Sequence, residues 1–129
     1  MRNVAVGWAG GKFRQDVAVG GHLIRSDEPV EKGGDDSGAS PHELLLAALG
    51  SCTAMTLKVY AERKGWPLRD VRVSLHGDHT DTGYIISRQL TIDGDLDEAQ
   101  RQRLIEIAER CPVHKTLMGE ITINTVAAK

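Results

Sequence analysis

Hydrophobic and polar positions change rhythm along the chain, and each change marks an element. Val4, Val6 and Trp8 share one phase of a two-residue alternation, and Phe13, Gln15, Val17 and Val19 continue it after an "AGGK" turn. This predicts a β-hairpin in which Gly10 and Gly11 supply the permissive turn dihedrals. "HLIRS", His22 to Ser26, predicts a third short strand. The stretch Asp27 to Ser40, "DEPVEKGGDDSGAS", is rich in Gly, Asp and Ser and predicts a loop. Loops of that length inside a compact domain are more often functional than decorative.

The rhythm then becomes helical. Ser40-Pro41-His42-Glu43 reads as a capping box, with Ser at the N-cap, Pro at the first helical position and Glu reaching back to the Ser40 amide. The helix should run to Lys64, where Gly65 provides the left-handed residue after the last turn and Pro67 forbids continuation. Its first half, "LLLAALG", is apolar all round, which predicts burial on most sides. Gly50 in its interior costs about 1 kcal/mol against alanine, so a neighbour should pack close there. Beyond it, Val71, Val73 and Leu75 alternate with polar residues, and "YIISRQLTI", Tyr84 to Ile92, predicts the next strand. Asp97 opens a second helix with Leu104, Ile105 and Ala108 as its core stripe, ended by Pro112. "PVHKTLMG" predicts a further short helix, and "EITINTV", Glu120 to Val126, alternates as a last strand. The order βββ-α-ββ-α-α-β describes one α+β domain over residues 1–129, with antiparallel sheets around a long buried central helix.

Composition narrows the function. The chain is 40% hydrophobic and 26% charged with a formal net charge of -2, which argues against nucleic acid as a partner. An aromatic fraction of 4% leaves few platforms for stacking bases or sugars. Met1 to Phe13 is too polar for a signal peptide, and the apolar run Leu44 to Leu49 is too short to cross a bilayer, so the expectation is a cytoplasmic protein. In that compartment two cysteines are more often reduced or redox-active than a permanent disulfide.

Cys52 lies about three turns into the apolar helix, beyond the useful reach of its positive end. A thiol left alone there is raised in pKa and inert, and a lone buried cysteine is usually a small hydrophobe. Cys111 directly precedes Pro112 at the start of the next turn, where free amides favour a thiolate and partial access is expected. If the two meet, they form a pair of attacking and resolving thiols. "HGDH", His76 to His79, with Asp81 reads as a polar turn before it reads as a metal site, since a fourth ligand is lacking. His114 either tunes the Cys111 thiol or caps a turn. No phosphate-loop pattern follows any strand, and neither a metal nor a cofactor is expected.

Together, "DEP" followed by "GG", then "SPHELLLAALGSCTAMTL", then "RLIEIAERCPVHKTL" resembles the OsmC-like proteins, which include the organic hydroperoxide resistance proteins. The "HELLLAALGSC" form is nearer the less characterised branch of that family. The resemblance implies an intertwined homodimer and a two-cysteine peroxidase acting on apolar alkyl or fatty-acid hydroperoxides. By the same resemblance Cys52 is the peroxidatic thiol, Cys111 the resolving one, and an external dithiol the reductant. In better-characterised members an acidic residue directly follows the proline of this block and holds an arginine that activates the thiol. Here His42 stands at that position and Glu43 comes one residue later, with Arg14 and Arg25 as the candidate arginines. Two other functions share the same scaffold: a pocket that binds an apolar or thiol-bearing small molecule, and a cysteine pair that senses oxidation or exchanges disulfides without efficient turnover. A partner subunit also suits the helix, because one small sheet covers only one side of an element that is apolar all round.

Overall fold

The computed structural model describes residues 1–128 and groups the chain into two compact units, Met1–Leu45 and the remainder from Leu46. In the first unit β1 (Val4–Trp8), β2 (Gln15–Val19) and β3 (His22–Ser26) form an antiparallel meander in that order, with Val6 opposite Val17 and Val17 opposite Ile24. Gly10 and Gly11 turn β1 into β2 with φ of 112° and 60°, a region open to glycine at no steric cost. The loop after β3 contains a 3₁₀ turn, Val30–Lys32, and is organised by Asp27. The Asp27 carboxylate accepts from the Glu28 amide at 2.7 Å, the Ser37 amide at 3.0 Å and the Ser37 hydroxyl at 2.6 Å. This clamp gives the long loop a structural explanation. Val4, Val6, Trp8 and Leu23 stay exposed despite their alternation.

The central helix α1 (Pro41–Lys64) begins as the sequence predicts: the Ser40 amide donates to Glu43 at 2.8 Å and the Glu43 amide to the Ser40 hydroxyl at 3.3 Å. It ends on Gly65 at φ 69°, with the Trp66 amide returning to the Ala61 carbonyl at 2.9 Å. Burial is narrower than expected. Leu49, Gly50, Thr53, Leu57 and Ala61 form one buried stripe, while Met55 (68% exposed) and Val59 lie on an open face. By length and composition α1 also passes as a membrane span, a test that core helices of soluble proteins pass as well.

In the second unit β4 (Leu68–His79) and β5 (Tyr84–Gly94) pair antiparallel, with Val71 opposite Ile92, Val73 opposite Leu90 and Leu75 opposite Arg88. Residues Ile86, Arg88, Leu90 and Ile92 share the less exposed phase of β5. Leu75 projects from β4 onto Gly50, where an added Cβ would meet its Cδ1 at 2.7 Å. The close neighbour expected at Gly50 is therefore an element of the same chain. Next, α2 (Glu98–Ala108) is capped by Asp97 and Gln100, whose side chains each accept the other's amide at 2.8 Å. Leu104, Ile107 and Ala108 pack on Leu57, Ala61 and Leu68 as the core. Ile105, expected in that stripe, is exposed instead, because positions 104, 107 and 108 complete a helical face that leaves 105 about 100° away. The short helix α3 (Pro112–Met118) follows as predicted.

The predicted strand over Glu120 to Val126 does not form: residues 120–128 carry no regular structure, and Ile121, Ile123 and Val126 are exposed. The alternation is present, but among the described residues no strand pairs with it. A lone strand has no ladder to satisfy its amides and carbonyls.

Candidate active site: a thiol pair and its arginine

Helix α1 carries Cys52 beside the buried Thr53, and Cys111 caps the N-terminus of α3. Pro112 at the first helical position fixes that turn, and the His114 amide donates to Cys111 Sγ at 3.4 Å. The fold brings the two thiols close enough that each acts on the other's protonation. Access is the reverse of the expectation. Cys111 is 0% exposed, enclosed by the core and its own cap, whereas Cys52 is half-buried and lines an open, mostly apolar cavity of about 670 Å³. Met55, Val59, Ile107 and Pro112 supply the apolar lining, and Arg63 and Arg110 are its charged members.

The thiols are electrostatically unequal. Burial pushes the Cys52 thiol up, and its hydrogen bond to Cys111 pushes it further. Burial pushes Cys111 up as well, but bonds from Cys52, the His114 amide, the Thr53 hydroxyl and the Val113 amide together hold it below the ordinary thiol value. The two shifts oppose each other: the proton is held more tightly on Cys52 and less tightly on Cys111.

Behind the pair sits Arg88, its side chain only 13% exposed. Nη1 donates to Thr53 Oγ1 at 3.0 Å, and Nη2 to Glu109 Oε2 and His114 Nδ1, each at 3.1 Å. Arginine has no acceptor, so His114 must present a lone pair at Nδ1. Its Nε2 then donates to Glu109 Oε2 at 3.2 Å, which sets the tautomer. Thr53 in turn accepts from Arg88 and has one proton to give, shared between the Leu49 carbonyl at 2.7 Å and Cys111.

The remaining expected site residues lie in the first unit. Glu43 is engaged in the capping box, and the Ser40 amide and hydroxyl hold its carboxyl below the usual range. Arg14 donates to the Ala9 carbonyl at 3.2 and 3.3 Å, and Arg25 stands 3.9 Å from Asp16. Glu43 pairs with neither arginine.

Residues 34–126 match the family model described as OsmC-like protein. The chain belongs to that family. An uncharacterized protein of Bacillus subtilis strain 168, YmaD, is 26% identical over 94% of this chain and 89% of its own. Among solved structures, an OsmC-like protein from Mycoplasma pneumoniae superposes with a TM-score of 0.77 at 20% identity, over 92% of this chain and 88% of that one. The organic hydroperoxide resistance protein OhrB of Bacillus subtilis gives a TM-score of 0.61 at 24% identity, over 92% and 91%. At these identities the structures carry the OsmC-like fold.

Within this OsmC-like chain, Arg88 is the site residue that reading the sequence misses. A signal for it exists: in "YIISRQLTI" the arginine occupies the inward phase with Ile86, Leu90 and Ile92. A guanidinium on the apolar phase of a strand needs buried partners. His114, left open between tuning the thiol and capping a turn, gives its amide to Cys111 in the N-terminal cap of α3 and its ring to Arg88. Near the "HGDH" turn, His76 Nε2 lies 3.2 Å from Asp78 on exposed strand, and no group of three or more candidate ligands assembles among the described residues.

Proposed function

We propose that this OsmC-like protein is a thiol-dependent peroxidase that reduces organic hydroperoxides. One observation carries the reading: Cys52 opens onto an apolar cavity with a second, enclosed cysteine beside it. Sulfur attack by Cys52 on the terminal peroxide oxygen forms an S–O bond and breaks the O–O bond, giving a sulfenic acid and an alcohol. Cys111 then condenses with the sulfenic sulfur, forming the Cys52–Cys111 disulfide and water. An external dithiol is oxidised in turn and restores both thiols. The apolar lining favours alkyl or fatty-acid hydroperoxides over hydrogen peroxide. Such turnover suits a reducing compartment such as the cytoplasm.

The working unit in this reading is a homodimer. Supporting it are the open face of α1, the exposed apolar residues of the first sheet, and the exposed Ile121, Ile123 and Val126, which pair with no strand among the described residues. Arg14, Arg25 and Glu43 enter as groups that a second chain would bring toward the thiol. The high pKa of Cys52 favours a second reading, in which the same dimer binds a small molecule or senses oxidation without turnover.

Consumption of cumene hydroperoxide with a dithiol separates the two. Wild type is expected to turn over, Cys52→Ser to be inactive, and Cys111→Ser to react once and then stall or over-oxidise. Substantial turnover by Cys52→Ser would remove the peroxidase assignment. Thiol titrations of Arg14→Ala and Arg25→Ala, run beside it, assign the activating charge to the N-terminal hairpin if either profile moves.

A further inference from the structure

We propose that Arg88 is a positioning residue that holds Cys111, from two sides, as the acceptor of the proton that leaves Cys52. The inference takes its chemistry from the peroxidase reading, but the contacts it rests on are independent of turnover. Arg88, Thr53, Cys111 and His114 close a ring. The guanidinium binds Thr53 Oγ1 at 3.0 Å, and Thr53 is one of the groups that hold the Cys111 thiol down. The same guanidinium binds His114 Nδ1 at 3.1 Å, and the His114 amide faces Cys111 Sγ at 3.4 Å. One side chain therefore contacts two of the residues that bear on the buried sulfur, Thr53 and His114.

The chemistry of each member fits. Because Arg88 fills an acceptor lone pair of Thr53, the single hydroxyl proton is left to point at Leu49 or at Cys111. When Cys111 gains negative charge, the hydroxyl swings to it without leaving Arg88. Glu109, bound by both Arg88 and His114, anchors the assembly from the C-terminal end of α2. Around the pair the charged and titratable groups are Arg88 from β5, Glu109 beyond α2 and His114 from α3, with Tyr60, Arg63 and Arg110 lining the cavity beside Cys52. Arg88 supplies positive charge in this set at a depth where it is poorly screened.

The proton inventory closes. Cys111 thiolate takes the proton of Cys52 as its sulfur attacks the peroxide, and the departing alkoxide then takes that proton from Cys111. Cys111 is left as the thiolate that attacks the sulfenic sulfur, and the expelled hydroxide leaves as water after protonation from solvent. A protonated, cavity-facing Cys52 is in this way made competent by its neighbour.

The test is the ultraviolet absorbance of thiolate against pH, which needs no reagent to reach a buried sulfur. It is read on the reduced full-length protein, with Cys52→Ala and Cys111→Ala assigning the signal. In Arg88→Met the Cys111 thiolate-to-thiol ratio at pH 7 should fall about tenfold, the size of one charge-assisted hydrogen bond. Arg88→Lys should recover only part of it, because one ammonium cannot bond Thr53, His114 and Glu109 in a fixed fork. A folded Arg88→Met whose titration overlays wild type would overturn the inference. If Arg88→Met does not fold, Arg88→Lys decides: an unchanged titration refutes the fork, and a partial shift supports it. Loss of the titration effect with turnover confined to proteins containing Cys52 sinks this inference alone. Turnover in Cys52→Ser sinks the peroxidase reading alone.

Discussion

Thr53→Val tests the site with the least disturbance of shape, since the two side chains are near-isosteric and Thr53 is 0% exposed. The hydroxyl has three relationships, and they differ in what their loss costs. Its bond from Arg88 at 3.0 Å is charge-assisted and shielded, and such bonds contribute about 1.5–3 kcal/mol. Arg88 keeps Glu109 and His114, so the lower end applies. The bond to the Leu49 carbonyl at 2.7 Å costs little, because that carbonyl retains a backbone helix bond and hydroxyl back-bonding adds slightly unfavourable strain. A buried methyl in place of the hydroxyl returns up to about 0.8 kcal/mol. The net loss should be about 1 kcal/mol, or about 4 °C in melting temperature for a chain of this length. The third relationship, to Cys111, hardly enters stability but does enter chemistry: the thiolate fraction of Cys111 should fall while the fold persists. Thermal melts at one protein concentration, paired with the thiolate absorbance titration, read both effects. A variant that melts lower yet titrates like wild type would refute the claim that the Thr53 hydroxyl reaches Cys111.

The core offers a larger effect: Leu104→Ala removes a fully buried side chain between Leu57 and Ala61 and should cost about 3 kcal/mol by chemical denaturation. Arg101→Met removes bonds to the Ile92, Gly94 and Leu96 carbonyls at 2.6, 2.8 and 3.3 Å, and should lower stability by about 2 kcal/mol with no change in thiol titration. The stability of the reduced protein should peak near pH 8.5, the ordinary thiol value. Below that pH the unfolded chain holds more protons than native Cys111, so stability rises with pH; above it native Cys52 holds its proton longer than the unfolded chain, so stability falls. Denaturant midpoints across that range should lose the peak when both cysteines are serine.

Most elements were readable because their signals are local. The Ser40–Glu43 and Asp97–Gln100 boxes, the left-handed Gly65 and the alternation of β4 and β5 are decided by residues within a few positions of each other. Failures came where a distant neighbour decides. Glu120 to Val126 has a strand's pattern but no edge to join, and Ile105 was assigned to a face that Ile107 occupies. The thiol pair was readable as chemistry but not as geometry, since about 60 residues of chain separate the two sulfurs and spacing over such a distance fixes no contact. Arg88 was hidden for the opposite reason: strand alternation placed it inward, while the partners that make this tolerable come from three other elements.

The closeness of the two sulfurs ties oxidation to folding in the manner of a thermodynamic cycle. A Cys52–Cys111 bridge closes a loop of about 60 residues, and in the chain-entropy account this restricts the unfolded ensemble by about 4 kcal/mol. The cycle requires the folded chain to favour the bridge, relative to the unfolded chain, by that same amount. Preassembly of the thiols is thus an effective molarity, and the difference between melts in oxidant and in reductant measures it without any peroxide present. On the proposed chemistry it also sets a direction for the reductant: a dithiol that reopens the bridge must be strong enough to work against the fold itself.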